Sequence, residues 1–353
     1  MKAARYYGYK DIRIEDIPVP AIPKGYVQVR VAWAGICGTD RHEYTGPIWI
    51  PIEKPHRITG QKAPITLGHE LSGVIVGLGE GVAGWNVGDR VTASGNIYCG
   101  ECDLCKSGKV NLCENLAFNG IGCDGAFAEY VNLPAYQLFS VPDNVTLEQA
   151  VLAEPLACGW HATKMMGDMQ GKNVAVVGPG IIGISCVIAA HAAGAKEIMV
   201  SGIGRENEAI ARQMGATHYV DSREQDPIAE GKKLTGKPGF DVVYECVGIQ
   251  PSLNTALDLL RKAGKLMQMG VYEKMPLFNM NIFQEGERTL YSSQAYTDEL
   301  RDVLLLMKKH TFPVEKLITA KISLDRIVED GFEELLRNPS KHIKIAIQIK
   351  PID

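Results

Sequence analysis

VAVVGPGIIGISCVIAA, at residues 174–190, combines an apolar strand, a glycine-rich turn and the start of a helix. Its glycines have the spacing G-x-G-x-x-G. The first glycine permits a tight turn, the second lets the backbone approach a pyrophosphate, and the third lets the helix pack closely on the strand. Phosphate then binds at the helix N-terminus. The stretch therefore predicts a dinucleotide site formed by Gly178, Gly180, Ile181, Ile182 and Gly183.

The sequence beyond this turn keeps alternating between strands and helices. Strand-like runs recur as IMVSG, HYVD, DVVYECVG and KLMQMGV, and helical stretches lie between them, the last at 253–262. This alternation is typical of βαβ units and predicts a parallel, doubly wound sheet. We expect residues 154–296 to form this nucleotide-binding domain.

The end of the second strand bears on the choice between NAD and NADP. An NAD site is expected to place an acid there for the ribose 2'-hydroxyl, but IMVSGIGREN has Gly202 at that position and Arg205 just beyond it. A missing acid removes repulsion against a 2'-phosphate, and Arg205 would supply its partner. On an equally weighted alternative, Arg205 is only a solvent-facing charge in a loop, and Glu206 binds the ribose in place of the missing acid. The sequence leaves the preference unresolved.

The first 150 residues have a different character. They contain short β-type runs, among them 26–32, 71–77 and 90–93, punctuated by Gly and Pro, with a Pro-rich loop at 46–64. This pattern predicts a compact β-barrel with long functional loops. We expect residues 1–153 to form it and the tail, 297–353, to complete it with an amphipathic stretch and a final strand.

Four cysteines in this half have the spacing C-x2-C-x2-C-x7-C: Cys99, Cys102, Cys105 and Cys113. Closed coordination by four thiolates is typical of structural zinc, whose binding energy contributes to folding. Free or disulfide-paired cysteines and an iron-sulfur cluster are the alternatives.

A second set of metal-binding residue types is dispersed along the chain. Cys37 lies in GICGTD, His69 and Glu70 in LGHELSG, and Glu154 in LAEPLAC. A thiolate, an imidazole and carboxylates leave one position open for water or substrate, as catalytic zinc requires. Taken singly, each residue also fits a purely structural role. Their occurrence beside a dinucleotide fingerprint and a four-cysteine loop favours a catalytic zinc site.

Composition excludes several other classes of protein. The chain has 353 residues, a formal net charge of −4 and no long basic block, which argues against nucleic acid or an anionic membrane as the main partner. The N-terminus has no signal-like apolar run, and no stretch approaches eighteen apolar residues. We expect a cytoplasmic protein, and the nine cysteines suit metal ligation better than secreted disulfides.

Taken together, these motifs resemble the zinc-containing medium-chain dehydrogenase/reductase family, most closely its 2,3-butanediol and sorbitol (polyol) dehydrogenase branch. The resemblance extends over nearly the whole chain and rests on CGTDRHEY, GPIWIP, ITGQKAPITLGHE, the four-cysteine lobe, AEPLAC and GPGIIG. It implies a GroES-like β-barrel catalytic domain, a Rossmann domain and an active site in the cleft between them. It also implies a homodimer or homotetramer assembled through the cofactor domain.

The resemblance assigns roles within the active site. Cys37, His69 and Glu154 would bind catalytic zinc, and Glu70 would bind it directly or stand just behind it. Thr39 would pass the substrate proton to His42, which would hand it to solvent. An imidazole with an ordinary pKa of about 6.5 suits that relay; the lesser alternative is that His42 only caps a loop.

The implied reaction is hydride transfer between NAD(P) and a secondary alcohol, with zinc lowering the pKa of the substrate hydroxyl. A vicinal diol or polyol is favoured, such as 2,3-butanediol, its ketone acetoin, or sorbitol. Trp33, Tyr44 and Trp49 are candidate pocket walls. The alternatives are a threonine or amino-alcohol dehydrogenase and, from another class, a non-catalytic zinc-stabilised nucleotide-binding protein.

Overall fold

The computed structural model describes residues 1–236 and 238–351. The chain divides into two compact units, one formed by Met1–Glu154 with Leu300–Asp353 and the other by Pro155–Glu299. The boundaries expected from the sequence, 153/154 and 296/297, lie slightly earlier in the chain. Among the described residues, none of the helices combines the length and apolar character that a membrane crossing requires.

The secondary structure follows in chain order. The strands are β1 (Lys2–Gly8), β2 (Asp11–Asp16), β3 (Tyr26–Gly35), β4 (Ile65–Thr66), β5 (Glu70–Leu78), β6 (Arg90–Ala93), β7 (Asn96–Ile97), β8 (Ala117–Phe118), β9 (Tyr130–Pro134), β10 (Leu138–Ser140), β11 (Asn173–Val177), β12 (Glu197–Gly202), β13 (His218–Asp221), β14 (Phe240–Glu245), β15 (Leu260–Gln268), β16 (Thr289–Ser292), β17 (Ile318–Ser323) and β18 (Lys344–Gln348). The α-helices are α1 (Gly38–Thr45), α2 (Asp103–Lys106), α3 (Leu147–Ala150), α4 (Ala153–Met166), α5 (Ile181–Ala192), α6 (Glu208–Gln213), α7 (Pro227–Thr235), α8 (Gln250–Leu259), α9 (Asn281–Gly286), α10 (Leu300–Lys308) and α11 (Glu333–Arg337). Short 3-10 turns lie at Val110–Leu112, Ala135–Gln137, Val314–Leu317 and Leu324–Arg326, and a π-helical turn lies at Ile327–Phe332.

The first unit is built on β-sheets. Its main sheet has the order β10-β6-β5-β3-β18-β17, with β9 also pairing with β3, and a smaller sheet has the order β2-β1-β4. Strand β3 alternates as expected for a half-buried strand, because Val27, Val29 and Val31 all point into the core. Burying each such side chain contributes about 1.5–3 kcal/mol. The tail belongs to this unit, since β18 pairs antiparallel with β3.

The second unit contains a six-stranded sheet with the order β13-β12-β11-β14-β15-β16. All neighbouring pairs are parallel. Strand β11 is buried at four consecutive positions, Val174–Val177, as expected of a strand covered on both faces. Sheet order and strand direction confirm the predicted doubly wound Rossmann sheet.

One helix of this unit ends earlier than predicted. The sequence predicts a helix over 253–262, but α8 ends at Leu259 and β15 begins at Leu260. Leu260 pairs with Phe240 of β14, so strand pairing overrides helical propensity at this point.

Candidate functional site

Cys37 lies between the end of β3 and the start of α1. Its backbone is extended, and its N–H donates to Asp40 Oδ2 at 2.9 Å. The Cys37 thiol lies 3.7 Å from the hydroxyl of Thr39. Cys37 is the N-cap residue of α1. This helix start holds the thiol and the Thr39 hydroxyl side by side.

His69 and Glu70 lie at the beginning of β5, opposite the end of β3. The antiparallel register pairs Glu70 with Gly35, two residues before Cys37. The Cys37 Sγ, one ring nitrogen of His69 and one carboxylate oxygen of Glu70 consequently lie within 4.8 Å of one another. The structure therefore brings together three of the four residues expected to form the catalytic metal site.

Lys344 is a buried residue of this site that the sequence analysis missed. It lies on β18 and is 2% exposed. Its Nζ donates to Glu70 Oε1 at 2.6 Å and to the carbonyl of Ile36 at 2.8 Å. Burial acts to lower the pKa of Lys344, but the charges of Glu70 and Cys37 outweigh it and raise the pKa above its ordinary value. The only sequence signal is a lysine inside the apolar run HIKIAIQI.

Asp40 is a second residue that the sequence analysis did not assign. Its side chain is fully buried, and its Oδ1 lies 3.8 Å from His69 Nδ1. Burial raises the pKa of Asp40 above its ordinary value. At this distance the two groups form no hydrogen bond, and the carboxylate places a negative charge beside the imidazole.

The charges and orphan atoms at this site fit a metal cation. Asp40 Oδ1, His69 Nδ1 and Glu70 Oε2 are buried without a hydrogen-bond partner among the described residues. Glu154, at the start of α4, is 3% exposed, and its charge acts on both His69 and Lys344. Buried carboxylates thus outnumber the one buried lysine, and unpaired buried charge is costly. Thiolate, imidazole and carboxylate are zinc donors, so the site fits zinc. Glu154 is not part of the group whose ligand atoms lie within 4.8 Å of one another.

The other residues predicted for catalysis and for the pocket lie on or near α1. His42 follows Thr39 by three residues, which places both side chains on one face of the helix. Both are half-buried. Trp33 lies half-buried on β3, and Trp49 is 47% exposed.

Tyr44 does not form a pocket wall as predicted. It is 2% exposed and its ring packs against Phe332 at 4.8 Å between centroids. Its hydroxyl donates to Glu333 at 2.9 Å. Tyr44 is therefore a core residue, placed there because α1 buries this face.

The four cysteines of the lobe form a second cluster. The four sulfur atoms lie within 4.8 Å of one another, with Cys99 3.5 Å from Cys113 and 3.9 Å from Cys105. Zn–S bonds of about 2.3 Å imply sulfur separations of about 3.8 Å in a tetrahedron. Backbone N–H groups donate to the sulfurs, and the amides of Glu114 and Cys105 lower the pKa of Cys102 to about 6. The cluster fits a structural zinc ion.

The predicted dinucleotide turn joins β11 to α5. Gly178 has a backbone φ of 104°, a conformation that residues with a side chain rarely adopt. A Cβ on Gly183 would collide with the carbonyl oxygen of Gly178, whereas Gly180 has open space around it and precedes the first helical residues, Ile181 and Ile182. The free backbone N–H groups at the N-terminus of α5 therefore lie next to an exposed glycine, as a pyrophosphate site requires.

The structure leaves little room for an acidic side chain at Gly202, the last residue of β12. A Cβ on Gly202 would meet the hydroxyl of Tyr219, which donates to the carbonyl of Gly204 at 2.9 Å. Arg205 forms ion pairs with Glu208 at 2.7 Å and Glu224 at 3.0 Å.

Two family models match parts of the chain. Residues 23–143 match the family described as the alcohol dehydrogenase GroES-like domain. Residues 182–309 match the family described as zinc-binding dehydrogenase. The two matches confirm the predicted fold class, a GroES-like barrel with a Rossmann domain.

Curated relatives align with the whole chain. The (R,R)-butanediol dehydrogenase of Bacillus subtilis is 39% identical over 350 residues, which cover 99% of each chain. The sorbitol dehydrogenase of the same organism is 34% identical, covering 98% of this chain and 97% of the relative. The L-threonine 3-dehydrogenase of Alteromonas mediterranea is 34% identical over only 74% of each chain.

Solved structures of dehydrogenases also superpose over nearly the whole chain. The 2R,3R-butanediol dehydrogenase from Bacillus subtilis superposes with a TM-score of 0.91 at 38% identity and 99% coverage of both chains. A zinc-binding dehydrogenase from Sinorhizobium meliloti bound to NADP has a TM-score of 0.88 at 30% identity, with 98% of each chain covered. An Escherichia coli alcohol dehydrogenase complexed with NADH has a TM-score of 0.88 at 26% identity, with 99% of each covered.

Replacing Lys344 with Met is expected to lower the free energy of unfolding by about 3–5 kcal/mol, because Glu70 would stay buried without a counter-charge. Chemical denaturation followed by circular dichroism measures the change. The matched control is Lys350→Met, whose ion pair with Glu129 is partly exposed and should contribute at most about 1 kcal/mol. The double variant Glu70→Gln/Lys344→Met should recover most of the loss. A single Lys344→Met variant as stable as the parent would contradict this account.

Proposed function

This chain belongs to the zinc-containing medium-chain dehydrogenase/reductase family, and we propose that it interconverts the secondary alcohol of a vicinal diol or polyol and the corresponding ketone. A nicotinamide cofactor carries the hydride. The observation that supports the proposal is the convergence of Cys37, His69 and Glu70 within 4.8 Å, in a buried setting with excess negative charge.

Within the metal site we assign two roles to the carboxylates. Glu70 is already engaged by Lys344 through Oε1, and its Oε2 lies against the backbone of Gly35. It therefore suits a supporting position behind the ligands. Cys37, His69 and Glu154 would then hold the zinc ion. When bound, zinc polarises the substrate oxygen and lowers the pKa of its hydroxyl.

The proton released from the substrate needs a route to solvent. The Thr39 hydroxyl lies beside the Cys37 thiol, so it can accept that proton and donate its own. His42, one turn along α1 and half-buried, can receive a proton and release it to water. Imidazole side chains exchange protons with water near neutral pH.

The similar proteins favour a diol or polyol over the alternatives. The full-length relatives are named for butanediol and sorbitol, whereas the threonine dehydrogenase aligns with three quarters of the chain. A non-catalytic protein has no support, since the predicted zinc ligands and the proton-relay residues are all present.

For the cofactor we propose NAD, with Glu206 as the acceptor for the ribose hydroxyls. The Glu206 carboxylate lies against Gly204, beside the position where NAD-binding chains have an acid. Arg205 is engaged by two carboxylates. Its availability to a 2'-phosphate is reduced, although each exposed pair contributes at most about 1 kcal/mol.

We also propose that two copies associate through the sheet of the second unit. Strand β16 is the last strand of that sheet and pairs only with β15 among the described residues. Leu290 on it is 47% exposed, and Met275, Leu277 and Met280, which precede β16 in the chain, are exposed still more. An open apolar edge is a template for pairing, and a two-fold axis would let β16 pair with its own copy.

The reducing cytoplasm is the compartment that we propose. All nine cysteines are free thiols in the structure. Disulfides would form and persist in an oxidising compartment. Two clusters suited to zinc also require thiolates that stay reduced.

Replacing Cys37 with Ala is expected to reduce turnover at least about a thousandfold, because the site loses a zinc ligand. NAD binding should persist, since the nucleotide turn lies in the other unit. The reduction of NAD and of NADP is measured with 2,3-butanediol, sorbitol and threonine as substrates. The zinc content of the parent and of the variant is measured alongside. The parent should hold about two zinc ions and the variant about one.

The matched control is Cys123→Ala, a buried cysteine of the same unit outside both clusters, which should stay active. A Cys37→Ala variant with parental activity would refute the zinc assignment. A higher kcat/KM for threonine than for any diol would refute the substrate assignment.

Replacing Glu206 with Gln is expected to raise the KM for NAD about tenfold, because a charged hydrogen-bond acceptor is lost. Arg205→Ala should leave the KM for NAD within about twofold. Glu208→Gln serves as a control acid on the same segment. Preference of the parent for NADP, lost in Arg205→Ala, would overturn the assignment.

Replacing Leu290 with Lys should convert the assembly into monomers, because a charge on the open edge opposes pairing. Sedimentation equilibrium of parent and variant measures this. Leu305→Lys, at an exposed leucine of the first unit, is the control. A monomeric parent would exclude the proposed association.

A further inference from the structure

Glu245, the last residue of β14, is a buried acid to which the proposed reaction gives no role. Its side chain is completely buried. In the parallel sheet it lies level with Val177, the residue that precedes Gly178 of the dinucleotide turn. A buried carboxylate is costly unless hydrogen bonds or positive charge compensate it. The hydrogen-bond partners of Glu245 therefore indicate which parts of the structure it fixes.

The first partner is the loop that follows β14, residues 246–249, here called the first loop. One carboxylate oxygen of Glu245, Oε1, accepts hydrogen bonds from the backbone N–H groups of Val247 at 2.9 Å and Gly248 at 3.0 Å. Hydrogen bonds to a charged acceptor are stronger than those between neutral groups. The carboxylate thus fixes the backbone of the first loop.

The second partner is the loop that follows β15, residues 269–272, here called the second loop. The N–H groups of Met269 and Gly270 donate to the main-chain carbonyl of Glu245 at 2.8 Å and 3.0 Å. The Tyr272 hydroxyl donates to the other carboxylate oxygen, Oε2, at 2.8 Å. Burial and the carboxylate of Glu245 raise the pKa of Tyr272 above its ordinary value, so the hydroxyl keeps the proton that it donates. One residue therefore binds both loops.

The two loops also pack directly on each other. A Cβ on Gly270 would collide with the backbone nitrogen of Gly248, and a Cβ on Gly248 would collide with the carbonyl oxygen of Val271. Glycine is the residue that allows two backbones to approach so closely. The spacing between the loops consequently depends on this packing and on the carboxylate that binds both of them.

The first loop lies against the dinucleotide turn. The N–H of Cys246 donates to the carbonyl of Val177 at 3.0 Å, and a Cβ on Gly178 would meet the side chain of Val247. Val247 on the first loop and Val271 on the second are 43% and 42% exposed. Apolar side chains are thus accessible beside the turn, as a binding site for a planar ring requires.

The order of the sheet indicates which part of a dinucleotide these loops would receive. The order β13-β12-β11-β14-β15-β16 is that of two mononucleotide-binding halves, and the dinucleotide binds across the point between β11 and β14 where they meet. The half from β11 to β13 carries the glycine turn and Gly202, where the adenosine ribose is expected. The first and second loops belong to the other half, which leaves them for the nicotinamide end.

We propose that Glu245 is a positioning residue of the cofactor site, which holds the first and second loops at the spacing that admits the nicotinamide ring. Tyr272 is its partner in this role. Glu245 acts through the loops rather than by touching the cofactor. The proposal rests on the proposed use of a nicotinamide cofactor and is independent of the alcohol that is oxidised.

The test uses the full-length protein with zinc bound and the variant Tyr272→Phe, which removes one hydroxyl and keeps the ring. The dissociation constant of NADH is measured by fluorescence titration, and that of ADP, which lacks the nicotinamide half, by competition with NADH. The value for NADH should rise about tenfold, because the loops adopt their binding arrangement less often. The value for ADP should stay within about twofold. Without nucleotide, hydrogen exchange of peptides that cover both loops should be at least about threefold faster.

Two substitutions of Glu245 itself extend the test. Glu245→Leu fills a similar space without an acceptor and should raise the dissociation constant of NADH more than Tyr272→Phe does. Glu245→Gln keeps a hydrogen-bonding partner for each loop, so its value should lie between those of the parent and the leucine variant. If Glu245→Leu does not fold, Tyr272→Phe still decides the question, because it leaves the carboxylate and its two backbone contacts in place.

The matched control is Tyr219→Phe. Tyr219 is a buried tyrosine of the same unit whose hydroxyl donates to the carbonyl of Gly204, on the adenosine side of the turn. Removing that hydroxyl should change the dissociation constants of NADH and ADP by the same factor. Equal weakening of NADH and ADP in Tyr272→Phe would overturn the assignment to the nicotinamide half. Unchanged dissociation constants of both ligands in that variant would overturn the positioning role, whatever the exchange rates.

Failure of this proposal can be distinguished from failure of the proposed function. The binding measurements are made without alcohol, so they hold whichever alcohol the protein oxidises. If the parent binds NADPH in place of NADH, the NAD assignment is wrong, and the comparison is made with NADPH and 2'-phosphoadenosine 5'-diphosphate. A parent that binds neither reduced nucleotide would overturn both proposals.

Discussion

The buried ion pair between Lys344 and Glu70 is the interaction on which the first unit depends most. It joins the last strand of the chain to the beginning of β5, with the end of β3 between them. Two ions removed from water are costly, and the cost is offset only when geometry and further hydrogen bonds are good. The second bond from Lys344, to the carbonyl of Ile36, meets that need. The pair thereby fixes the strand ends from which Cys37 and His69 project.

The metal site follows from this arrangement. Strand register decides which side chains converge, because a shift by one residue would turn them to the opposite face. Asp40 then lies near the imidazole of His69, and Lys344 binds the carboxylate of Glu70. Buried carboxylates without enough positive charge beside them are costly, so a bound zinc ion would also stabilise the fold of this region.

Sequence predicts some of these features and misses others for physical reasons. The glycine turn, the doubly wound sheet and the four-cysteine cluster depend on residues close together in the chain, so local spacing is sufficient to identify them. Lys344 owes its role to the pairing of β18 with β3, which leaves no local pattern in the sequence. Tyr44 was misassigned because an aromatic residue near a loop gives no sign of which helix face is buried. The early end of α8 has the same origin, since pairing with β14 is not visible in the sequence of α8 itself.

The contribution of β18 to the first sheet has a consequence for biosynthesis. Residues 155–299 form a continuous unit and can fold while the ribosome is still adding the tail. The first unit cannot be completed in the same way, since residues 33–35 of β3 lack their partner strand β18 until that strand has left the exit tunnel. Its nascent half must wait with an open sheet edge through the synthesis of an entire domain, a period in which chaperones and proteases have access to it.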